Sequence, residues 1–301
     1  MVEIRNLNFS YKRKQHTLRD LSLSIPAGSI FAFVGENGAG KSTTLKHIVG
    51  LIPELNHKIE VFGKSLRTHR KEIVQKVGVM IESPSFYPFL SGYDNLKIHC
   101  LYRKLPLERI EKVTRKVGLS EHLRKKYKAY SMGMKQQLGL ALTLLADPDL
   151  YVLDEPMNGL DPTRRIAFRN LLLDLHKKGK TILLSSHHLP EVELIATDIG
   201  IIKNGSILFQ GSMESLRSLK QKNQSLHMEV SDVGQTTSLL EKEFEILLAN
   251  TKSGKLEIGI KDRENIPLIV QRLTANGIAI YKLNGNEKSL EELFMDSIST
   301  N

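Results

Sequence analysis

The chain has no tryptophan, a single cysteine, Cys100, and no apolar run approaching the roughly 18 residues that a membrane-spanning helix needs. One cysteine excludes an intramolecular disulfide and suits a reducing compartment. The opening residues, Met1 to Asn6, lack the apolar region of a signal peptide. The expected location is therefore the cytosol, with any attachment to a membrane made through a partner. Aromatic residues are also sparse, at 6%. The densest basic cluster, Arg124-Lys125-Lys126-Tyr127-Lys128, is too short and too poor in aromatics for a nucleic-acid platform and reads as a solvated helix end. The formal charge of +10 is compatible with nucleic acid, anionic lipid or an anionic nucleotide, and charge alone does not choose.

What is present is an ordinary globular composition, 41% hydrophobic and 25% charged, over 301 residues. At about 100 to 200 residues per domain, that is room for one large domain and a small one. The most informative stretch is Gly35-Glu36-Asn37-Gly38-Ala39-Gly40-Lys41-Ser42-Thr43, which fits the phosphate-binding pattern G-x-x-x-x-G-K-[ST] at every fixed position. Glycines let successive backbone N–H groups line one concavity around phosphate oxygens. Lys41 supplies a point charge for the outer phosphates and Ser42 a hydroxyl for Mg²⁺. The context is right: residues 28–34 read as a buried strand and residues 43–50 have helical apolar spacing. Two partial matches, Gly63-Lys64-Ser65 and Gly179-Lys180-Thr181, fail because Lys58 and Asp174 stand where the first glycine is required.

Around the loop, residues 2–7 and 18–25 read as antiparallel edge strands. Tyr11 lies in the polar connection between them, either as a plain exposed aromatic or as a platform for a nucleobase. Short strands follow at 58–62 and 77–81, and Glu82 comes directly after the second. The segment from Ser83 to Gly92 is rich in proline and aromatics, excludes helix and central strand, and is expected to be an exposed docking surface. Three- and four-residue apolar spacing from Tyr93 to about Gly118 predicts a helical insertion. Leu150 to Pro156 is an apolar strand ending in Asp154 and Glu155, a Walker B pattern; parallel strands carry charge at their C-terminal edge, where ligands bind. Asp154 suits Mg²⁺ held through its water shell, and Glu155 is free to orient or deprotonate an attacking water. A similar strand, Thr181 to Ser186, ends at His187, with His188 expected on an exposed helix.

Tyr130-Ser131-Met132-Gly133-Met134-Lys135-Gln136-Gln137-Leu138 resembles the signature motif of ATP-binding cassette (ABC) transporters, and the resemblance covers about residues 1–220. It implies an α/β phosphate-loop NTPase cassette with a mixed central sheet, an antiparallel β edge region and a helical insertion over about 91–146. The ligands implied are ATP and Mg²⁺. By this resemblance Tyr11, Gly35, Asn37, Gly38, Ala39, Gly40, Lys41, Ser42 and Thr43 bind nucleotide, and Ser131, Gly133 and the D-loop Asp161 complete the set. Ser131 and Gly133 would contact the ATP of a partner subunit. Ser42, Glu82 and Asp154 surround the metal, while Glu155 and the switch histidine His187 are catalytic. A second identical or similar cassette and a separate membrane permease are implied, on the cytoplasmic side of the membrane, with no nucleic acid expected. Met132 and Met134 depart from the usual Gly and Gln, and Asn158 from the usual Ser. Glu82 stands where most cassettes have Gln, and this E-loop is similar to the exporters of lantibiotic immunity and bacitracin resistance. A soluble cassette acting on DNA ends or ribosomes is disfavoured: the stretch from Glu82 to Ser131 is too short for a long coiled coil, and no second phosphate loop follows. A phosphate-loop kinase leaves the signature and His187 unexplained.

The remaining residues, 221–301, are expected to form a small α+β domain. Their periodicity gives strand (226–230), helix (235–242), strand (244–248), strand (256–260), helix (264–276) and strand (278–283), the order β-α-β-β-α-β. A final helix is expected over 289–295, and Lys220 to Ser225 reads as a linker.

Overall fold

The computed structural model describes residues 1–11, 17–54, 56–81, 85–222, 224–260, 262 and 264–287. The first elements are β1 (Val2–Phe9), β2 (Leu18–Ile25), β3 (Ile30–Val34), α1 (Lys41–Ile48), β4 (Ile59–Val61), β5 (Lys64–Ser65), α2 (Leu66–Gln75) and β6 (Val77–Met80). The helical insertion follows as α3 (Gly92–Arg103), α4 (Glu108–Lys116) and α5 (Met132–Leu144). Next come β7 (Leu150–Leu153), α6 (Pro162–Lys177), β8 (Thr181–Ser186), α7 (Leu189–Val192), β9 (Asp198–Lys203) and β10 (Ser206–Ser212). The last described elements are α8 (Met213–Lys222), β11 (Gln224–Val230), α9 (Val233–Leu240), β12 (Glu245–Asn250), β13 (Lys255–Ile260), α10 (Asn265–Ala275) and β14 (Ile280–Glu287).

The apolar runs of the sequence form the centre of a six-stranded sheet ordered β10-β9-β3-β8-β7-β6. All pairs are parallel except β10 with β9, so the sheet is mixed. β3, β7 and β8 are buried at every position, as strands covered on both faces must be. The edge strands form a second, antiparallel sheet ordered β2-β1-β4-β5. One core joins the layers: Val2, Ile4, Leu23 and Ile25 of the edge sheet meet Phe31, Phe33, Val152 and Leu183 of the central sheet, with Leu45 and Ile48 of α1 alongside. Each such side chain contributes about 1.5–3 kcal/mol by leaving water.

The insertion is built from locally consistent helices. Ser91 caps α3 by accepting a hydrogen bond from the Asp94 N–H at 3.0 Å. In α4, Glu108 and Glu111 sit in the first turn and Arg115 and Lys116 in the last, matching the helix dipole, while Ile110 and Val113 are buried. Cys100 is buried in α3, and burial pushes its thiol pKa up, which keeps it an unreactive apolar residue. The basic cluster at 124–128 is not a helix end. It occupies a link with a 3-10 turn at Tyr127–Ala129, in which the Arg124 guanidinium lies 4.1 Å from the Tyr93 ring centre.

The aromatic segment before α3 differs from the expected open surface. Phe86 is only 8% exposed and packs on the Tyr127 ring at 5.2 Å, whereas Tyr87 and Phe89 are 62% and 71% exposed. The buried Asn95 fixes this arrangement: its side chain accepts from the Tyr87 N–H and donates to the carbonyls of Tyr87 and Ser91. Glu82, Ser83 and Pro84 lie outside the described residues.

The chain divides into compact units at Met1–Met213 and Glu214–Asn301. The run from Lys220 to Ser225, expected as a linker, carries the end of α8 and the start of β11. After α8, the described residues of the second unit run β11-α9-β12-β13-α10-β14, an antiparallel sheet ordered β12-β13-β11-β14 with α9 and α10. Leu226, Met228 and Val230 alternate into its core, where Leu256, Ile258 and Ile260 meet Leu240, Ile269 and Leu273 from the helices. The expected final helix at 289–295 lies outside the described residues. No helix among the described residues is long and apolar enough to cross a membrane.

Candidate active site

Strand order assembles the site. β3, β8 and β7 are neighbours, with Val34 paired to Ser186 and Leu153 to Leu184. The phosphate loop after β3, the Asp154-Glu155 turn after β7 and His187 after β8 therefore leave the same C-terminal edge side by side. That edge is where open α/β sheets bind ligands.

The loop itself is held by close packing. A Cβ on Gly35 would stand 2.4 Å from the Ile202 carbonyl oxygen, so only glycine lets the chain leave β3 here. Gly40 has φ +112 and its Cβ would meet Leu18 at 2.8 Å. Gly40 is also the residue before α1, whose start has no side-chain cap and no acidic residue in its first turn. Its first N–H groups are thus left for an anion. Asn37 and Gly38 are exposed at the tip, while Ala39 and Thr43 are buried beneath it. Ser42 is the second residue of α1 and half-buried.

Lys41 is 6% exposed, and its Nζ donates to the Gly35 carbonyl at 2.6 Å and the Glu36 carbonyl at 3.1 Å. It also stands 3.5 Å from Glu155 Oε1. The other carboxylate oxygen, Oε2, pairs with His187 Nδ1 at 2.9 Å. Glu155 Oε1 is buried and has no hydrogen-bond partner among the described residues, so its ion pair with Lys41 is electrostatic contact alone. A buried carboxylate oxygen in that condition, beside a cation, is what a site for a polar reactant presents. Asp154 is buried, its N–H donating to the Met80 carbonyl at 2.7 Å. Ser185 Oγ donates to Asp154 Oδ1 at 2.5 Å and accepts from the Glu155 N–H at 2.8 Å. Glu155 itself has φ +45, a left-handed conformation.

This donor set fits a nucleoside triphosphate with Mg²⁺: the uncapped start of α1 and a lysine for phosphate, and a hydroxyl and a carboxylate as hard oxygen ligands. Among the sequence candidates, Lys41, Asp154, Glu155 and His187 are brought together in this network. Ser131, Gly133 and Asp161 form a second cluster. Ser131 caps α5, accepting from the Met134 N–H at 3.3 Å, and Asp161 caps α6, accepting from the Arg164 N–H at 2.9 Å. The two caps touch: a Cβ on Gly133 would meet the Arg164 guanidinium at 2.5 Å, and one on Gly159 would meet Met132 at 3.1 Å. Tyr11 is 60% exposed, edge-on to Phe9 at 4.8 Å, and Phe9 in turn meets His47 of α1 at 4.7 Å. His188 is exposed, with its ring 3.9 Å from that of His187. The sequence reading missed Ser185, and also Gln136, whose Nε2 donates to the Pro156 carbonyl at 3.0 Å and ties α5 to the turn after β7. A polar pair, Ser185-Ser186, closing an otherwise apolar strand was the available signal.

Comparison with known proteins gives a consistent picture. A family model described as ABC transporter matches residues 18–158, and one described as the C-terminal domain of DrrA1-3-like ATP-binding proteins matches residues 211–298. The chain is similar to the bacitracin transport ATP-binding protein BcrA of Enterococcus faecalis, with 33% identity over 296 residues, covering 98% of this chain and 95% of that protein. It is also similar to the lantibiotic transport ATP-binding protein SrtF of Streptococcus pyogenes, with 37% identity over 221 residues, covering 73% of this chain and 95% of that protein. Among solved structures, the ATP-binding subunit of an ABC transporter aligns with TM-score 0.65 and 29% identity over 72% of this chain and 92% of that one. A dimeric cassette in a post-hydrolysis state with ADP and Pi shares the fold, with TM-score 0.66 and 20% identity over 71% of this chain and 99% of that one.

Proposed function

This chain belongs to the ATP-binding proteins of the ABC transporter family, and from that premise we propose that its ATPase drives export of a membrane-active peptide antibiotic, of lantibiotic or bacitracin type, through a separate permease. The observation that carries the catalytic part is the meeting of Lys41, Asp154, Glu155 and His187 at one sheet edge. The substrate class is supported by the two transport relatives and by the E-loop residue Glu82.

In this reading the backbone of residues 35–43 and Lys41 bind the phosphates of ATP, and Tyr11 stacks on the adenine. Ser42 and Asp154 would hold Mg²⁺, with Glu82 the third candidate for its ligand sphere; the ion would supply charge neutralisation on the phosphates. Glu155 accepts the proton of the attacking water through its buried Oε1, which has no hydrogen-bond partner among the described residues, and His187 holds the opposite oxygen. Lys41 sits 3.5 Å from Oε1. Ser131, Gly133 and Asp161 present the capped ends of α5 and α6 to the ATP of a second cassette, identical or similar, so that two nucleotides are enclosed between two chains. The exposed Tyr87 and Phe89 are the side chains offered to the permease, and the complex works at the cytoplasmic face of the membrane.

The test is survival of cells expressing this chain with its permease, challenged with lantibiotics and with bacitracin. Resistance that disappears with Glu155→Gln supports the reading. If the wild-type pair protects against no membrane-active peptide antibiotic, the substrate class is wrong while the ATPase assignment stands.

A further inference from the structure

We infer that Ser185 is a positioning residue for ATP hydrolysis, a buried hydroxyl that sets Asp154 and Glu155 at once. The inference rests on the roles proposed above for those two carboxylates. Ser185 lies in β8, a strand whose other central residues are Ile182, Leu183 and Leu184, and it has no solvent exposure. A hydroxyl at such a place is costly unless both its donor and its acceptor capacity are used. Here both are used, and both on neighbouring residues of another strand end: Oγ–H donates to Asp154 Oδ1 at 2.5 Å and the Glu155 N–H donates to Oγ at 2.8 Å.

The two bonds do different things. The first commits one oxygen of Asp154 and fixes the rotation of its carboxylate, which decides where the second oxygen points. The second holds the backbone of Glu155, which has φ +45 although it is not glycine, a conformation that persists only when its surroundings impose it. Glu155 then reaches Lys41 and His187 with its two oxygens. Pairing of Leu153 with Leu184 brings Ser185 level with Asp154. A residue that orients a metal-side carboxylate from behind is worth about 10–100-fold in metal affinity or activity when removed.

The experiment uses the full chain with Ser185→Ala, the near-isosteric Ser185→Cys, and Glu155→Gln as a reference. Steady-state ATPase is measured against ATP and against Mg²⁺, fluorescent ATP-analogue affinity is measured in EDTA, and folding is followed by thermal melting. Turnover of Ser185→Ala is expected to fall about 10–100-fold and its half-saturating Mg²⁺ to rise by a similar order, with metal-free nucleotide affinity changed by less than about twofold. If Ser185→Ala melts early, Ser185→Cys, which fills the same space with a weak hydrogen-bonding group, carries the same expectation. Wild-type turnover in the Ser185 variants beside an inactive Glu155→Gln overturns the inference alone. A loss of metal-free nucleotide affinity in step with turnover also overturns it, because that is the mark of a general structural role. An active Glu155→Gln overturns the reading of Glu155, and the inference with it.

Discussion

Lys41 is the residue on which the site converges, because one buried ammonium bridges the loop carbonyls of Gly35 and Glu36 and the carboxylate of Glu155. Lys41→Ala should abolish ATPase activity while the far-ultraviolet circular dichroism spectrum stays that of the wild type; normal turnover would remove the lysine from the mechanism. Glu155→Gln keeps the shape of the side chain and loses the base, so turnover should fall by about 10²–10⁴ with ATP binding retained. Size-exclusion chromatography with ATP and Mg²⁺ should then show a stable dimer, and a variant that stays monomeric and hydrolyses ATP contradicts the assignment. His187→Ala should lower turnover more than nucleotide affinity, since its ring nitrogen Nδ1 pairs with Glu155 Oε2 at 2.9 Å. At this scale Lys41, Asp154, Glu155 and His187 were legible from motif and strand edge. Gln136 was not, and the polar pair Ser185-Ser186 at the end of β8 marked a place without naming a role, because the partners of both residues are remote in the chain.

The segment before α3 shows how one element can be half right. Consecutive aromatics among prolines read as exposed, and Tyr87 and Phe89 are, but Phe86 is covered by Tyr127, a residue of the link between α4 and α5 within the insertion. Whether an aromatic in an irregular segment is surface or core depends on what folds over it, which spacing does not encode. The consequence is a divided prediction. Phe86→Ala should destabilise the protein by about 3 kcal/mol, read as a lower urea midpoint. Tyr87→Ala and Phe89→Ala should change stability by about 0.5 kcal/mol or less and leave the ATPase activity of the isolated chain intact. In cells the same two substitutions should lower antibiotic resistance if these rings meet the permease; unchanged resistance would assign the docking surface elsewhere.

For the whole molecule, every phosphate-site residue precedes position 190, and the division into units falls between Met213 and Glu214. The second unit has its own apolar core of alternating strand residues and helix residues. We propose that it is dispensable for nucleotide chemistry. A chain ending at Lys220 should remain soluble and bind ATP as tightly as the full chain in a calorimetric titration. Loss of binding or solubility would mean that residues beyond 220 contribute to the nucleotide unit.

Taken by itself, the sequence determined whatever is written in contiguous residues: the glycines and lysine of the phosphate loop, the apolar strands ending in Asp154 and His187, and the β-α-β-β-α-β order of the second unit. These are backbone requirements and short periodicities, and each survives in any correct fold. Tertiary structure alone decided that β3, β8 and β7 lie side by side, that the buried Lys41 pairs with Glu155, that Phe86 goes inside, and that a serine 31 residues from Asp154 grips its carboxylate. Those outcomes depend on strand order and register, which arise when distant apolar faces are buried against one another, and a linear pattern carries no record of which strand becomes whose neighbour.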